Sequence, residues 1–583
     1  MGKFLLGIVT GAILVVVIGV LGFFAIASLK TKPPSVADGS TLILRLSGDV
    51  PEQPPLEFPI PFLQNRVNLT VQNVWSVLRR AATDNRIKAI VFEPQGVELG
   101  WAKMQEIRAD IEAFRKSGKP IYAFLKAPTT REYYLAAACN KVYLSPTDSL
   151  GLKGLRLEIT YYKNTFDKLG VQVEVEHAGK YKDYGDMYTR TSMSPETKEV
   201  YNSIADLIYT DLIEVVAKSR KLDPAKARAI LEEGPFLAAQ AKQYGLVDEL
   251  KYEDQMLGDV KAALNQKDLK KVDEHDYVHV PDASAASQDR IAWVVAQGAI
   301  TRGDADGEGE DGIQSTHLIK TLASVGNDSS LKAVIVRIDS PGGEVTASDE
   351  LWNAMRELSR KKPTVISMSD AAASGGYYMA MSGDPILAYP GTLTGSVGVV
   401  MAKPTIKGLY DKVGITKDFI TRGKYAMLES EYQPLTPEGR AKIRESIDSN
   451  YTDFVKKVAD ARKKPVDAIE PLAQGRVWLG NQAKENGLID EIGGIDRAIE
   501  LVRKKAGIPT TAKVHLALYP GKRSLLDVLF RSNLPDQESE LRIRALLSSA
   551  GLDPLARAWR DDRLRAWLRG GMMRMMPFSL EFR

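Results

Sequence analysis

This chain contains the same domain twice, and a chain that repeats a domain folds it twice. Lys88-Ala89 recurs as Lys332-Ala333, Tyr133-Tyr134 as Tyr377-Tyr378, Gly151 as Gly395, and Gly179-Lys180-Tyr181 as Gly423-Lys424-Tyr425, all at an offset of 244. After a two-residue slip, AKQYGLVDE from Ala241 to Glu249 returns as AKENGLIDE from Ala483 to Glu491. Within each copy, short apolar strands such as AIVF at Ala89 and AVIVRI at Ala333 alternate with amphipathic stretches near Met104 to Phe114 and Glu350 to Leu358. That alternation predicts an α/β fold with a largely parallel sheet. TLILRLSG from Thr41 and IAWVVAQG from Ile291 read as equivalent first strands, which sets the repeats at 40–265 and 291–520. Residues 266–290 are polar and lack apolar periodicity, so they read as the connector. The proline-rich stretch from Pro51 to Pro61 reads as an irregular lead-in, and residues 521–583 as a basic tail.

The differences between the copies carry the chemistry. Copy two has Ser374 in AAASGGYY, where copy one has Thr130 in APTTREYY, with Arg131 and Glu132 in place of Gly375 and Gly376. Copy one has Lys182 in GKYKDY, where copy two has Ala426 in GKYAML. Lys180 is matched by Lys424, so the comparison singles out Lys182. Each copy keeps one half of a Ser/Lys pair, which predicts a site at the junction of the repeats with Ser374 as nucleophile and Lys182 as base.

The surroundings of Ser374 fit acyl transfer. Gly375 and Gly376 permit close backbone approach, and the apolar run after them can begin a buried helix whose first amides face the serine. About 30 residues earlier a strand ends in IDSPGGEVTAS, with Gly342 and Gly343 after Pro341. A glycine pair there can turn an amide toward a developing oxyanion, where one donor is worth roughly 3 kcal/mol of barrier. The matching stretch of copy one, FEPQGVELG, has lost the glycine pair along with the serine.

From Phe4 to Leu29 the chain is uncharged, bounded by Lys3 and by Lys30 and Lys32, long enough to cross about 30 Å of hydrocarbon as a tilted helix. Ala25 and Ala27 form a possible signal-peptidase site, but the apolar stretch exceeds the roughly 7 to 15 residues of a secretory core, so residues 1–32 read as a retained anchor. Flanking charge does not set the orientation. A net charge of +4 argues against nucleic acid as the main ligand. Cys139 is the single cysteine, so no intrachain disulfide forms, and its apolar neighbours predict a buried thiol. None of His177, His275, His279, His317 and His515 falls in a triad or metal motif. The run Asp304 to Asp311 lacks a full calcium-loop ligand set, and GxxxxGK[ST] is absent, so neither a metal nor a nucleotide cofactor is expected.

The tandem repeat, SPGG, AASGGY, and GKYK followed by MSP at Met193 together resemble the long form of the signal peptide peptidase A family over residues 40 to 520. The resemblance implies two tandem ClpP/crotonase-like domains and a Ser/Lys dyad of Ser374 and Lys182. It also implies oxyanion donors at Gly342 and the amide of Ser374. It further implies a homotetramer on the outer face of the bacterial cytoplasmic membrane, anchored through residues 4–29 and degrading signal peptides left after secretion. The tail from Leu541 to Arg583 departs from the family pattern: it has nine arginines against four acids, with Trp559 and Trp567 eight apart on a possible helix. It fits a membrane-surface or subunit contact, or a helix packed on the body. Two other functions match parts of the pattern less well. A crotonase-type acyl-CoA enzyme would use similar paired-glycine oxyanion holes but needs neither an anchor nor a unique lysine. A silent membrane scaffold would have both dyad positions eroded in both copies.

Overall fold

A computed structural model describes residues 34–53, 68–281, 287, 289–303, 312–521 and 572–575. The predicted membrane segment and the acidic run from Asp304 lie outside the described residues. Among those described, no helix is long and apolar enough to cross a membrane.

The strands of copy one include β1 (Ser40–Gly48), β2 (Ile87–Val97), β3 (Ile121–Leu125), β4 (Lys141–Leu144), β5 (Gln172–Ala178), β6 (Glu249–Leu250) and β7 (Lys271–Asp273). Of these, all but β5 form one parallel sheet in the order β6-β4-β3-β2-β1-β7. Copy two builds its counterpart on β8 (Asp289–Gln297), β9 (Leu331–Ser340), β11 (Thr364–Ala373) and β15 (Val514–Tyr519), with β12 (Leu393–Gly395) and β14 (Val477–Leu479) beyond β11. The central strands are apolar on both faces, as parallel strands covered by helices must be; β9 is buried at nearly every position. The helices include α1 (Val71–Thr83) and α2 (Trp101–Arg115) of copy one and α5 (Val345–Lys361) of copy two. One apolar cluster runs through both copies, from Trp101 and Tyr134 to Trp293 and Ile335, so the repeats share a core. Cys139 is buried, and burial pushes its thiol up to about 12.

The structure moves the boundary read at residue 265. Strand β7 lies inside the stretch read as connector and pairs with β1, from Thr41 against Lys271 to Ile43 against Asp273. A short helix, Glu274–Val278, follows, with Tyr277 buried and the Arg80 guanidinium donating to the carbonyls of Tyr277 (3.0 Å) and Val280 (2.8 Å). Copy one therefore extends to about residue 281. Three residues at a sheet edge are too few for an alternating pattern to register.

Charged groups lock the seam between the copies. Arg337 of β9 is fully buried and donates to Glu52, at 2.7 Å, and to Glu106 of α2. Lys103 Nζ meets Asp339 at 2.9 Å, and Asp370 of copy two accepts the amides of Gly100 and Lys103, capping α2 from across the seam. Buried pairs of this kind fix an arrangement more than they add stability.

A third sheet mixes the copies. In it β5 of copy one pairs antiparallel with β13 (Val399–Thr405), and β10 (Gly342–Glu344) pairs with Ile300–Thr301. Strand β16 (Met572–Met575), from the tail, lies between β10 and β13. Trp559 and Trp567 lie outside the described residues.

Candidate active site

Ser374 sits where β11 turns into the short helix α6 (Gly375–Ala380). Its backbone has φ +55° and ψ −113°, a conformation rare for a residue with a Cβ and held here by the fold around it. The Ser374 amide donates to the Gly395 carbonyl at 2.8 Å, and its own carbonyl accepts the first helical bond from Tyr378. Gly376 packs so tightly on Ser340 that a Cβ would stand 2.7 Å from the Ser340 carbonyl oxygen, which is why an Arg-Glu pair cannot replace the two glycines here.

Lys182 arrives from the other copy. Pairing of β5 with β13, down to Ala178 against Val399, carries the GKYK segment across the seam. The Tyr181 amide then docks on the Gln474 carbonyl at 2.8 Å. Gly475 makes room: at φ +75°, a Cβ there would lie 2.6 Å from the Lys182 Cβ. Lys182 and Ser374 are both fully buried, and Lys182 Nζ lies 2.9 Å from Ser374 Oγ. Nζ also meets Ser396 Oγ at 2.9 Å and donates to the Ser396 carbonyl at 3.0 Å. An amine that donates to both Ser396 oxygens keeps its lone pair for the Ser374 hydroxyl proton. Sequence reasoning missed Ser396, although the repeat comparison exposes it: the residue after Gly395 is Ser396, and the residue after Gly151 is Leu152.

The predicted oxyanion donors stand differently. The Gly342 amide donates to Ser340 Oγ at 3.2 Å, and the Ser374 amide is taken by Gly395. At the start of α6 the amides of Gly375 and Gly376 have no carbonyl within the helix to meet, so they are the ones such a turn presents. Gly343 packs on Ile300, where a Cβ would stand 2.0 Å from the carbonyl oxygen.

The matching place in copy one is filled. Glu132, at the position of Gly376, is buried, and its carboxylate accepts the Val97 amide at 2.7 Å and the Thr129 amide at 2.8 Å. Thr130 merely opens α3 (Thr130–Ala136). Copy one thus carries a buried, hydrogen-bonded carboxylate where copy two has the Gly376 turn.

Beside the lysine, Asp183 accepts a hydrogen bond from Thr197 Oγ1 in the first turn of α4 (Pro195–Arg220), whose N-cap is Ser194. Its Oδ1 is buried with no hydrogen-bond partner among the described residues. Burial pushes the carboxyl up to about 6, against the pull of the Thr197 hydrogen bond and the Lys182 charge. Among the described residues no three His, Cys, Asp or Glu side chains gather as metal ligands.

A buried serine within hydrogen-bond reach of a buried amine, at a seam between α/β repeats, belongs to a serine peptidase. The chain is a member of peptidase family S49, whose sequence profile matches residues 113–267 and 356–509, one match in each repeat. The Clp protease profile also matches, over residues 307–394. The chain is 36% identical over 506 residues to the chloroplastic serine protease SPPA of Arabidopsis thaliana, covering 85% of this chain and 73% of that one. It is 30% identical over 500 residues to protease 4 of Salmonella typhi, covering 82% of this chain and 79% of that one. Among solved structures, ClpP1 from Listeria monocytogenes aligns with a TM-score of 0.21 at 17% identity, over 35% of this chain and 91% of that one.

Proposed function

We propose that this peptidase is a membrane-anchored endopeptidase that degrades residual signal peptides, using Ser374 as nucleophile and Lys182 as general base. The 2.9 Å approach of Lys182 Nζ to Ser374 Oγ, with both side chains buried, is the observation that carries the reading. A lysine ordinarily titrates near about 10.4, and removing its charged form from water favours the neutral amine that a base requires. Lys182 takes the hydroxyl proton as Ser374 attacks the scissile carbonyl, then returns it to the leaving amine, and water hydrolyses the acyl-enzyme. The Gly342 amide exchanges its long bond to Ser340 Oγ for the oxyanion. Gly375 replaces Ser374 as the second donor, because the Ser374 amide is committed to Gly395.

Two ClpP/crotonase-like domains in one chain complete one site, an architecture supported by the Clp protease match in copy two. Anchoring through residues 4–29 in a bacterial cytoplasmic membrane, with the repeats on the periplasmic side, brings the site to peptides left in that membrane. The chain assembles as a homotetramer in this reading, and the exposed Val413, Ile415, Phe419 and Ile420 on one segment of copy two support a subunit contact surface.

Fluorophosphonate labelling with peptide mapping tests the chemistry. The label is expected on Ser374 and lost in Lys182→Ala; a label on another residue, or one undiminished by Ser374→Ala, removes the dyad.

A further inference from the structure

Tyr181, the residue before the base, is held at both ends, and both holds reach copy two. Its amide rests on the Gln474 carbonyl, while its hydroxyl accepts a hydrogen bond from Arg476 at 3.1 Å and donates one to Glu199 at 3.0 Å. Arg476 also pairs with Glu199, near the start of α4, and its guanidinium lies 5.0 Å from the centre of the Tyr181 ring. The Arg476 backbone carbonyl accepts the Ser396 amide at 2.8 Å. One residue therefore holds the neighbour of Lys182 with its side chain and the serine that orients Nζ with its backbone.

The repeats divide these residues as they divide the dyad. After the two-residue slip, Arg476 falls opposite Gly234 and Glu199 opposite Ala441. Copy one thus carries Glu199 with Lys182, and copy two carries Arg476 with Ser374. Tyr181 is matched by Tyr425, so the tyrosine alone does not mark the lysine-bearing copy; Tyr425 is exposed and precedes Ala426. The Glu199 side chain is 52% exposed, and an ion pair so open to water adds little to stability. What it supplies is position. A lysine side chain has four torsions, so Nζ stays 2.9 Å from Ser374 Oγ only if the backbone that carries it is fixed, and misplacing a catalytic group by about 1 Å can cost roughly a hundredfold in rate.

We infer that Glu199 and Arg476 are positioning residues for the base: together they clamp Tyr181 across the seam and so keep Lys182 aligned with Ser374 and Ser396. The inference rests on the Ser374/Lys182 reading above. Both residues act through the Tyr181 hydroxyl and not on the reacting atoms.

Fluorophosphonate labelling of the detergent-solubilised full chain, followed for both rate and final extent, tests this. Arg476→Ala and Glu199→Ala are each expected to label to full extent but about tenfold more slowly than the wild type. The double variant is expected to be only about twofold slower than either, because both side chains hold one hydroxyl. Tyr181→Phe keeps the ring and removes that hydroxyl, and is expected to slow labelling about fivefold. A merely structural role would lower the extent and leave the rate of the labelled fraction unchanged. Losses in extent alone, rates within about twofold of the wild type, or single losses that multiply in the double variant overturn the positioning role. Lys182→Ala, measured alongside, separates the two readings: labelling there at the wild-type rate removes the dyad itself, whatever Arg476 does.

Discussion

Asp183 is the group whose protonation the structure ties most closely to the base. Its carboxyl is driven from an ordinary 3.8 up to about 6 by burial, while the unfolded chain returns it to water. A carboxyl raised on folding favours the folded state below its unfolded value, and that contribution is lost as pH rises through the folded value. At about 1.4 kcal/mol per pH unit, the loss approaches 3 kcal/mol by pH 8. Asp183→Asn removes the titration but keeps an oxygen for the Thr197 hydroxyl. Both the amide and the protonated acid place a donor where Oδ1 lacks a partner, so the two proteins compare fairly at low pH. Urea unfolding of the two proteins at pH 4 and pH 8 is expected to show near-equal stability at the first and the variant ahead by 2 to 3 kcal/mol, to order of magnitude, at the second. The activity profile moves as well. Ionised Asp183 favours the ammonium form of Lys182, so its removal is expected to shift the acidic limb of the kcat/KM profile to lower pH. A stability gap that stays constant between pH 4 and pH 8, or an acidic limb that moves up, refutes this account.

Lys182→Arg is expected to be as inactive as Lys182→Ala, because arginine keeps the charge but cannot surrender its proton; an active arginine variant in a peptide-hydrolysis assay removes the base from the mechanism. Ser396→Ala takes away one of the oxygens that orient Nζ, and kcat is expected to fall roughly 10- to 100-fold with KM little changed, consistent with one lost hydrogen bond to a buried amine. Because the dyad closes within one chain, mixed oligomers of Ser374→Ala and Lys182→Ala are expected to recover no activity, and substantial recovery would place the pair between subunits.

Comparison of the copies brought out Ser374 and Lys182 because each stands against a different residue in the other copy: Thr130, which has lost the glycines beside it, and Ala426, which cannot act as a base. The same comparison contains Ser396 against Leu152, but a serine after a glycine also reads as an ordinary turn residue. Only the fold shows that this turn lies against a lysine that is far away in sequence. Arg337 was visible too, as a charge inside the apolar run AVIVRI; a strand covered on both faces obliges such a charge to find a partner. Its partners Glu52 and Glu106 could not be read, since one lies inside a proline-rich lead-in and the other lies on a helix where a carboxylate ordinarily faces water. The bond of the Ser374 amide to Gly395 was illegible for a different reason. Residue type does not determine where a backbone N–H points at a strained turn, because the φ of +55° is imposed by the packing of α6 and by the Gly395 carbonyl. Glu132 joins the two kinds of information. Its identity shows that copy one lost the glycines, and its buried carboxylate, turned onto the Val97 and Thr129 amides, shows that the turn there is built around a side chain and not around the bare backbone that Gly376 leaves in copy two.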